Sequence, residues 1–194
     1  MSALSLIARI AEIFTDAQAD EIGKGRVIVA DTAEGPKLFK LCKLKAAASD
    51  LSAGMIAMID DPSAHQVVTA ATLHQKAFGG ARCAMLTGGT APTTLTAGNW
   101  AFLQIAGYAK LVEGDSCNTW LAGELLVPDD DADKGRVGGV LTAPASNSTA
   151  NIGLYGDSHD SAFAISKAAS AAVADTAVLC SIFRNAWGAY AAAS

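Results

Sequence analysis

Charge is scarce in this 194-residue chain: Asp, Glu, Lys and Arg together make up 17%, below the roughly 25% of soluble domains. The shortage is greater on the basic side, 14 cations against 19 anions for a net charge of −5. That argues against a dedicated nucleic-acid binder, whose affinity comes mainly from cations on phosphates. Aromatic residues are few as well, 6%, although 51% of the chain counts as hydrophobic; 41 alanines supply much of that fraction. Histidine occurs three times, at His65, His74 and His159, too dispersed for a ligand cluster. The four cysteines, Cys42, Cys83, Cys117 and Cys180, are 41, 34 and 63 residues apart. No pair has the close spacing of a metal knuckle or a redox motif, so scattered reduced thiols that pack as small hydrophobes are expected.

Long apolar runs are also missing. Lys110 closes the best central candidate, and Lys167, Asp175 and Arg184 punctuate the Ala-rich end, so no membrane-spanning helix is expected. Arg9 and Glu12 interrupt the N-terminal apolar stretch, which departs from the signal-peptide pattern and points to a cytoplasm-like compartment. Motifs of chemistry are absent in the same way. No Gly-x-Ser-x-Gly elbow, Walker loop or dinucleotide fingerprint occurs. The run Asp129 to Asp133 places acids as a calcium loop would, but Lys134 and Val140 stand where an EF-hand needs Gly and Glu, so it reads as a solvated acidic turn. Gly114-Asp115-Ser116 and Gly156-Asp157-Ser158 match an esterase tripeptide without the supporting order of acid and base, and read as turns. No catalytic residue, metal site or cofactor is expected from the residues themselves.

What the chain does contain is a repeated turn. Leu51-Ser52-Ala53-Gly54 precedes Met55 to Ile59, Leu95-Thr96-Ala97-Gly98 precedes Asn99 to Leu103, and Leu121-Ala122-Gly123 precedes Glu124 to Val127. A glycine after a small residue suits a tight turn, and each apolar run that follows is long enough for one strand. After the first and third copies, Asp60-Asp61-Pro62 and Pro128 to Asp131 break the strand before Val67-Val68 and Val137 to Val140 resume it, the pattern of a hairpin. Arg26 to Ala30 reads as a further strand ending at Asp31. Leu38, Leu41 and Leu44, interleaved with Lys37, Lys40 and Lys43, suit a short helix and a strand equally. The lysines, with Lys45, read as a solvated face or half of a charge-complementary contact. Alanine content alone makes Ser161 to Ala174 helical, yet Phe163 and Ile165 alternate, as do Val178, Cys180 and Ile182, with Asp175-Thr176 as the turn. At the N-terminus, Leu4, Ile7, Ala8, Ala11 and Phe14 have the spacing of one helical face. The expected fold is mainly β: an irregular β-barrel or a β-tulip or sandwich built from Gly-turn hairpins. An N-terminal arm, 1–24, with helical spacing precedes a β-rich domain, 25–194, divisible into layers 25–100 and 101–194.

From Phe102 to Phe183 the sequence resembles the capsid decoration, or cement, proteins of tailed bacteriophages. The resemblance sits in Ile105 to Val112, Glu113-Gly114-Asp115, Ala122-Gly123-Glu124-Leu125-Leu126-Val127-Pro128, Gly135 to Val140, Ala162 to Ile165 with Ala168-Ala169-Ser170, and Val178 to Phe183. It implies a β-rich, non-enzymatic virion protein, made in the host cytoplasm, that binds the outside of the assembled shell. The major capsid protein would be its partner, and the chain would form a homo-oligomer, trimer or dimer, at a capsid symmetry axis. It also supports strands over a helix in the Ala-rich end. The apolar groups near the termini, Leu4, Ile7, Ile10 and Phe14 in the arm and Trp187 and Tyr190 in the tail, are the expected partner contacts, the alternative being that both ends fold back onto the domain. A second resemblance covers the same segment: Val112 to Asp115, Ala122 to Leu126, Asp133-Lys134 and Ala143-Pro144 are similar to lipoyl and biotinyl carrier domains, with Lys134 as the modified lysine, though the glycine spacing is wider than theirs. Another phage structural role, in a tail or head fibre, is a further alternative.

Overall fold

The computed structural model describes residues 9–46, 48, 50–61, 63–69, 83–86, 94–112, 120–128, 135, 137–139, 164–170 and 177–182. Most of these lie in strands, with one short helix, so the fold is mainly β as expected. All three repeated glycines adopt left-handed backbone, Gly54 and Gly98 at φ +85° and Gly123 at +93°, and each opens a strand. The strands are β1 (Ile13–Phe14), β2 (Val27–Thr32), β3 (Gly35–Leu44), β4 (Leu51–Ser52), β5 (Ile56–Asp61), β6 (Gln66–Thr69) and β7 (Cys83–Leu86). They continue with β8 (Thr94–Leu95), β9 (Trp100–Val112), β10 (Leu125–Pro128), β11 (Val137–Gly139), β12 (Ala164–Ser166) and β13 (Ala177–Ile182). The expected hairpins form: β5 pairs antiparallel with β6, and β10 with β11. Pairing also joins the first two copies of the motif, since β4 and β8 bring Leu51 opposite Leu95.

The sheet curls until it meets itself. The path β9-β7-β5-β6-β3 returns to β9 through a direct β3–β9 pairing, which makes a ring of five strands. Cys42, Leu44, Ala57, Val67, Leu103 and Ile105 fill its interior, capped by Leu51 and Leu95. From β9 the sheet also continues through β13, β12, β10 and β11 as a wing. The wing closes over the outer face of β5, where Ile56 and Met58 pack with Leu111, Trp120, Leu126 and Ile182. Inside the wing, Trp120 Nε1 donates to the hydroxyl of fully buried Ser166 (3.0 Å). The strands expected in the Ala-rich end are present as β12 and β13, antiparallel with Ala164 opposite Ile182; Asp175-Thr176 lies outside the described residues.

β9 serves both halves. Residues 100–106 are buried throughout, because the barrel interior covers one face and the helix side the other, and this stretch accordingly has no apolar–polar alternation. From Tyr108 onward alternation returns, with Ala109 and Leu111 buried and Tyr108 and Lys110 exposed. The division between layers thus falls within β9, at Gly107, rather than at 100/101.

The helical reading of residues 1–14 is corrected where it can be seen. Arg9 to Ala11 form a turn, with the Glu12 N–H donating to the Arg9 carbonyl (3.0 Å), and Ile13–Phe14 pair with Ala101 and Trp100. The helix, α1 (Asp16–Ile22), starts later because Thr15 and Gln18 form a reciprocal capping box. It buries Ala19 and Ile22 against Phe14, Ile28, Phe39 and Trp100, so residues 13–22 belong to the body of the domain.

Strand β3 settles the Leu/Lys stretch. Alternation along a strand sends Lys37 and Lys43 to one face and Lys40 to the other, so the lysines do not share a solvated face. Lys43 bonds the Asp16 carboxylate (2.9 Å) and Lys37 the Glu34 carboxylate (2.6 Å). Lys40 is 6% exposed, and burial holds its ammonium below the ordinary lysine range. Cys42, two residues on, is fully buried, and burial pushes its thiol up to about 12. At pH 8 about one thiol in ten thousand would be ionised there. Iodoacetamide is therefore expected to leave Cys42 unmodified in the native protein and to alkylate it in denaturant. Peptide mass mapping checks this, and native alkylation at the rate of a free thiol would show that the barrel interior opens.

Candidate interaction surface

Among the described residues no group of three or more His, Cys, Asp or Glu side chains converges to hold a metal ion, and no helix is long and apolar enough to cross a membrane. What the described surface offers instead is exposed apolar strand. Among the described residues β2 ends the strand order of the sheet, paired to β3 alone. Its sequence alternates as a half-buried strand should: Ile28 and Ala30 turn into the core beside Phe39, whereas Val27 and Val29 stay 49% and 54% exposed. Among the described residues this edge has no partner strand, and between Val27 and Thr32 it carries outward valines, neither proline nor lysine, and one charge, Asp31.

One end of this edge is polar and tightly built. His65, in the β5–β6 turn at φ +54°, lays its ring where a side chain on Gly25 would have to go. Its Nδ1 is buried without a hydrogen-bond partner among the described residues, and burial followed by the Lys40 charge pulls its pKa down. Asp61 anchors the same turn by accepting from the Ser63 hydroxyl (2.6 Å) and N–H (2.9 Å), which keeps its carboxyl below the usual range. These groups hold the turn against the start of β2.

Across β3 lies the joint between helix and sheet. Trp100 is 2% exposed, and its indole Nε1 donates to Asp16 Oδ1 (2.7 Å). The ammoniums of Lys24 and Lys43 lie 5.5 and 5.9 Å from its ring centre. Hydrogen bonds from Lys43 and then from Trp100 hold the Asp16 carboxyl below its ordinary range. The arrangement fastens α1; it presents no open ring for a ligand to stack upon.

Of the residues expected to touch a partner, Phe14 instead follows the alternative, folding back onto the domain. It is fully buried, edge-on to Phe102 with ring centres 6.0 Å apart, and the Arg9 guanidinium covers it at 4.9 Å. A side chain with no accessible surface makes no contact outside its own core. Ile10 is half-buried against the same cluster. Leu4, Ile7, Trp187 and Tyr190 lie outside the described residues, as do Ser116, Ser158, His159 and the Asp129 to Asp133 run. Lys134 does too; it belongs to the connection between the paired strands β10 and β11. The edge of β2 was not among the expected contacts. Its alternation is visible in sequence, but nothing local marks a strand as the last in its sheet. Compared with known proteins, the chain matches no family model, no curated protein and no solved structure.

Proposed function

We propose that this chain is a non-enzymatic structural protein of a virion, a decoration protein that binds the outside of an assembled phage capsid and stabilises the lattice of its major capsid protein. The observation that carries the reading is the order of segments from Ile105 to Phe183 that resembles such proteins. The folding of their described parts into one contiguous run of strands, β9-β13-β12-β10-β11, is compatible with it. The low charge and the exposed valines of β2 suit a surface that is covered by protein in use.

The physics of such a role is linkage. A protein that binds the assembled lattice and not the dispersed subunits stabilises the lattice by about 2.7 kcal/mol per site when its free concentration is a hundredfold above its dissociation constant. Purified protein mixed with undecorated capsids of the phage that encodes it is expected to co-sediment to a saturating stoichiometry and to raise the temperature at which the shells rupture. Shells that pellet without the protein and rupture at an unchanged temperature would overturn the reading. Intact mass provides the contrast with the carrier alternative, which requires a lipoyl or biotinyl adduct on Lys134.

A further inference from the structure

We propose that His65 is an acid-released latch: when its imidazole takes up a second proton, the seam between β3 and β6 opens and the barrel is no longer closed. This goes beyond the capsid reading and stands whether or not that reading holds. Its first support is where His65 sits. One side of β3 is shared end to end by two strands. At Leu41 it holds the segment leading into β2, the Leu41 N–H donating to the Arg26 carbonyl (2.9 Å) and the Leu41 carbonyl accepting from Gly25 (3.2 Å). From Lys43 onward it holds β6, the Lys43 N–H donating to the His65 carbonyl (3.0 Å) and the Lys45 N–H to the Val67 carbonyl (2.9 Å). His65 thus stands at the changeover. The seam itself is short, Lys43 and Leu44 opposite Gln66 and Val67, and fully buried Cys42 lies beside it in the barrel interior.

The second support is the fit of the imidazole. Its Cε1, Nε2 and Cδ2 atoms occupy the space over Gly25, where a Cβ would lie 2.4 Å from the first two. Nδ1 is buried with no hydrogen-bond partner among the described residues. A neutral imidazole can leave that nitrogen bare, whereas the imidazolium carries N–H groups on both nitrogens and would bury a charged donor there. Two charged groups act on it. Lys40 of β3, itself 6% exposed, opposes the extra proton, and Asp61 of the β5–β6 turn favours it more weakly. The Asp61 carboxylate is engaged by Ser63 and by the Ala64 N–H (3.2 Å). Other charges on the flanking segments have partners of their own: Lys24 with Asp20 (2.7 Å), Arg26 with the Ile22 carbonyl (3.3 Å), Lys43 with Asp16 (2.9 Å) and Lys45 with Asp60 (2.8 Å). Folding therefore favours the neutral ring. Unfolded, His65 titrates near the ordinary value of about 6.5. Its contribution to stability is full above that pH, falls as the pH drops through it, and levels off below the lowered pKa of the folded state.

The accessibility of Cys42 reads the seam. The full chain is treated with 4,4′-dithiodipyridine, which modifies thiols in mild acid as well as at neutral pH, and the modified peptides are identified by mass. Rates are taken relative to the denatured chain at the same pH. Cys42 is expected to react severalfold faster on this scale at about pH 5.5 than at about pH 7.5, a window that spans histidine and leaves carboxylates ionised. His65→Asn keeps a residue that tolerates left-handed backbone and removes the titration, so its Cys42 is expected to react alike at both pH values. Lys40→Met removes the opposing cation and is expected to raise the His65 midpoint and weaken the acid response. In the wild-type chain that midpoint, followed by NMR of the imidazole, is expected below 6.5. Relative reactivity of Cys42 that does not change with pH, an acid response that persists in His65→Asn, or a His65 midpoint at or above 6.5 would each overturn the proposal. The wild-type reactivity and titration decide the matter even if a variant fails to fold.

Discussion

Gly107→Ala is expected to lower the melting temperature by about 10 °C, although it adds a single methyl group to a strand. Two costs coincide there. Gly107 has φ +96°, a backbone conformation that costs a residue with a Cβ about 1–3 kcal/mol. The added carbon would also lie 2.7 Å from the Pro36 carbonyl oxygen and 3.2 Å from the Lys37 Cα. Both are backbone atoms of the neighbouring strand, so relief requires β3 to move against β9. A combined loss of about 3–4 kcal/mol corresponds to roughly 10 °C for a chain of this size. Gly123→Ala is the control, because φ is +93° there and nothing lies within 4 Å of the added carbon. It bears the conformational cost alone and is expected to lose less than half as much. Thermal unfolding of the two variants side by side checks the argument; equal losses would mean that the close approach of Pro36 does not matter. The position is consequential because β9 changes partners there, with Ala106 opposite Leu38 of β3 and Gly107 opposite Ile182 of β13.

Trp100→Ala is the second large effect, a loss of about 3–5 kcal/mol in denaturant unfolding, as expected when a large buried aromatic is truncated. That is a substantial part of the roughly 5–15 kcal/mol by which domains are stable. Trp100 stands where four elements meet: opposite Phe14 of β1 and Lys43 of β3 in the sheet, in the cluster that receives α1, and hydrogen-bonded to Asp16. Trp100→Phe keeps most of the packed area and removes the indole donor, while Asp16 retains Lys43, so it is expected to lose a minor part of the stability. If Trp100→Ala unfolded within 1 kcal/mol of the wild type, the helix would not depend on this joint.

The turns were legible because their signal is local. A glycine after a small residue and before an apolar run needs no distant partner to become a left-handed turn, and Gly54, Gly98 and Gly123 all did so. Alternation was equally readable in Val27 to Ala30, where one face is buried and one exposed, and in the Ala-rich end, where it outweighed the helix propensity of alanine. The Thr15-Gln18 capping box was also present in the sequence, and it, rather than the apolar spacing of residues 4 to 14, marks where the helix begins. The candidate surface was less legible. Phe14, near the N-terminus, looked available for a partner, but it pairs beside Trp100 and lies under Arg9. The edge of β2 looked like any other strand.

Sequence alone determined which short segments turn, which become strands and which face of each strand is apolar, since these follow from glycine conformation and period-two patterning within a few residues. Only the tertiary structure decided whether a second face would also be covered. It buried Lys40 in spite of its charge, made both faces of residues 100–106 interior and left Val27 and Val29 outside. The physical reason is that burial depends on which strands, far apart along the chain, come to lie side by side. Here that was decided by the curling of the sheet back to β9 and by the change of partners at Gly107, where a side chain would meet the backbone of β3.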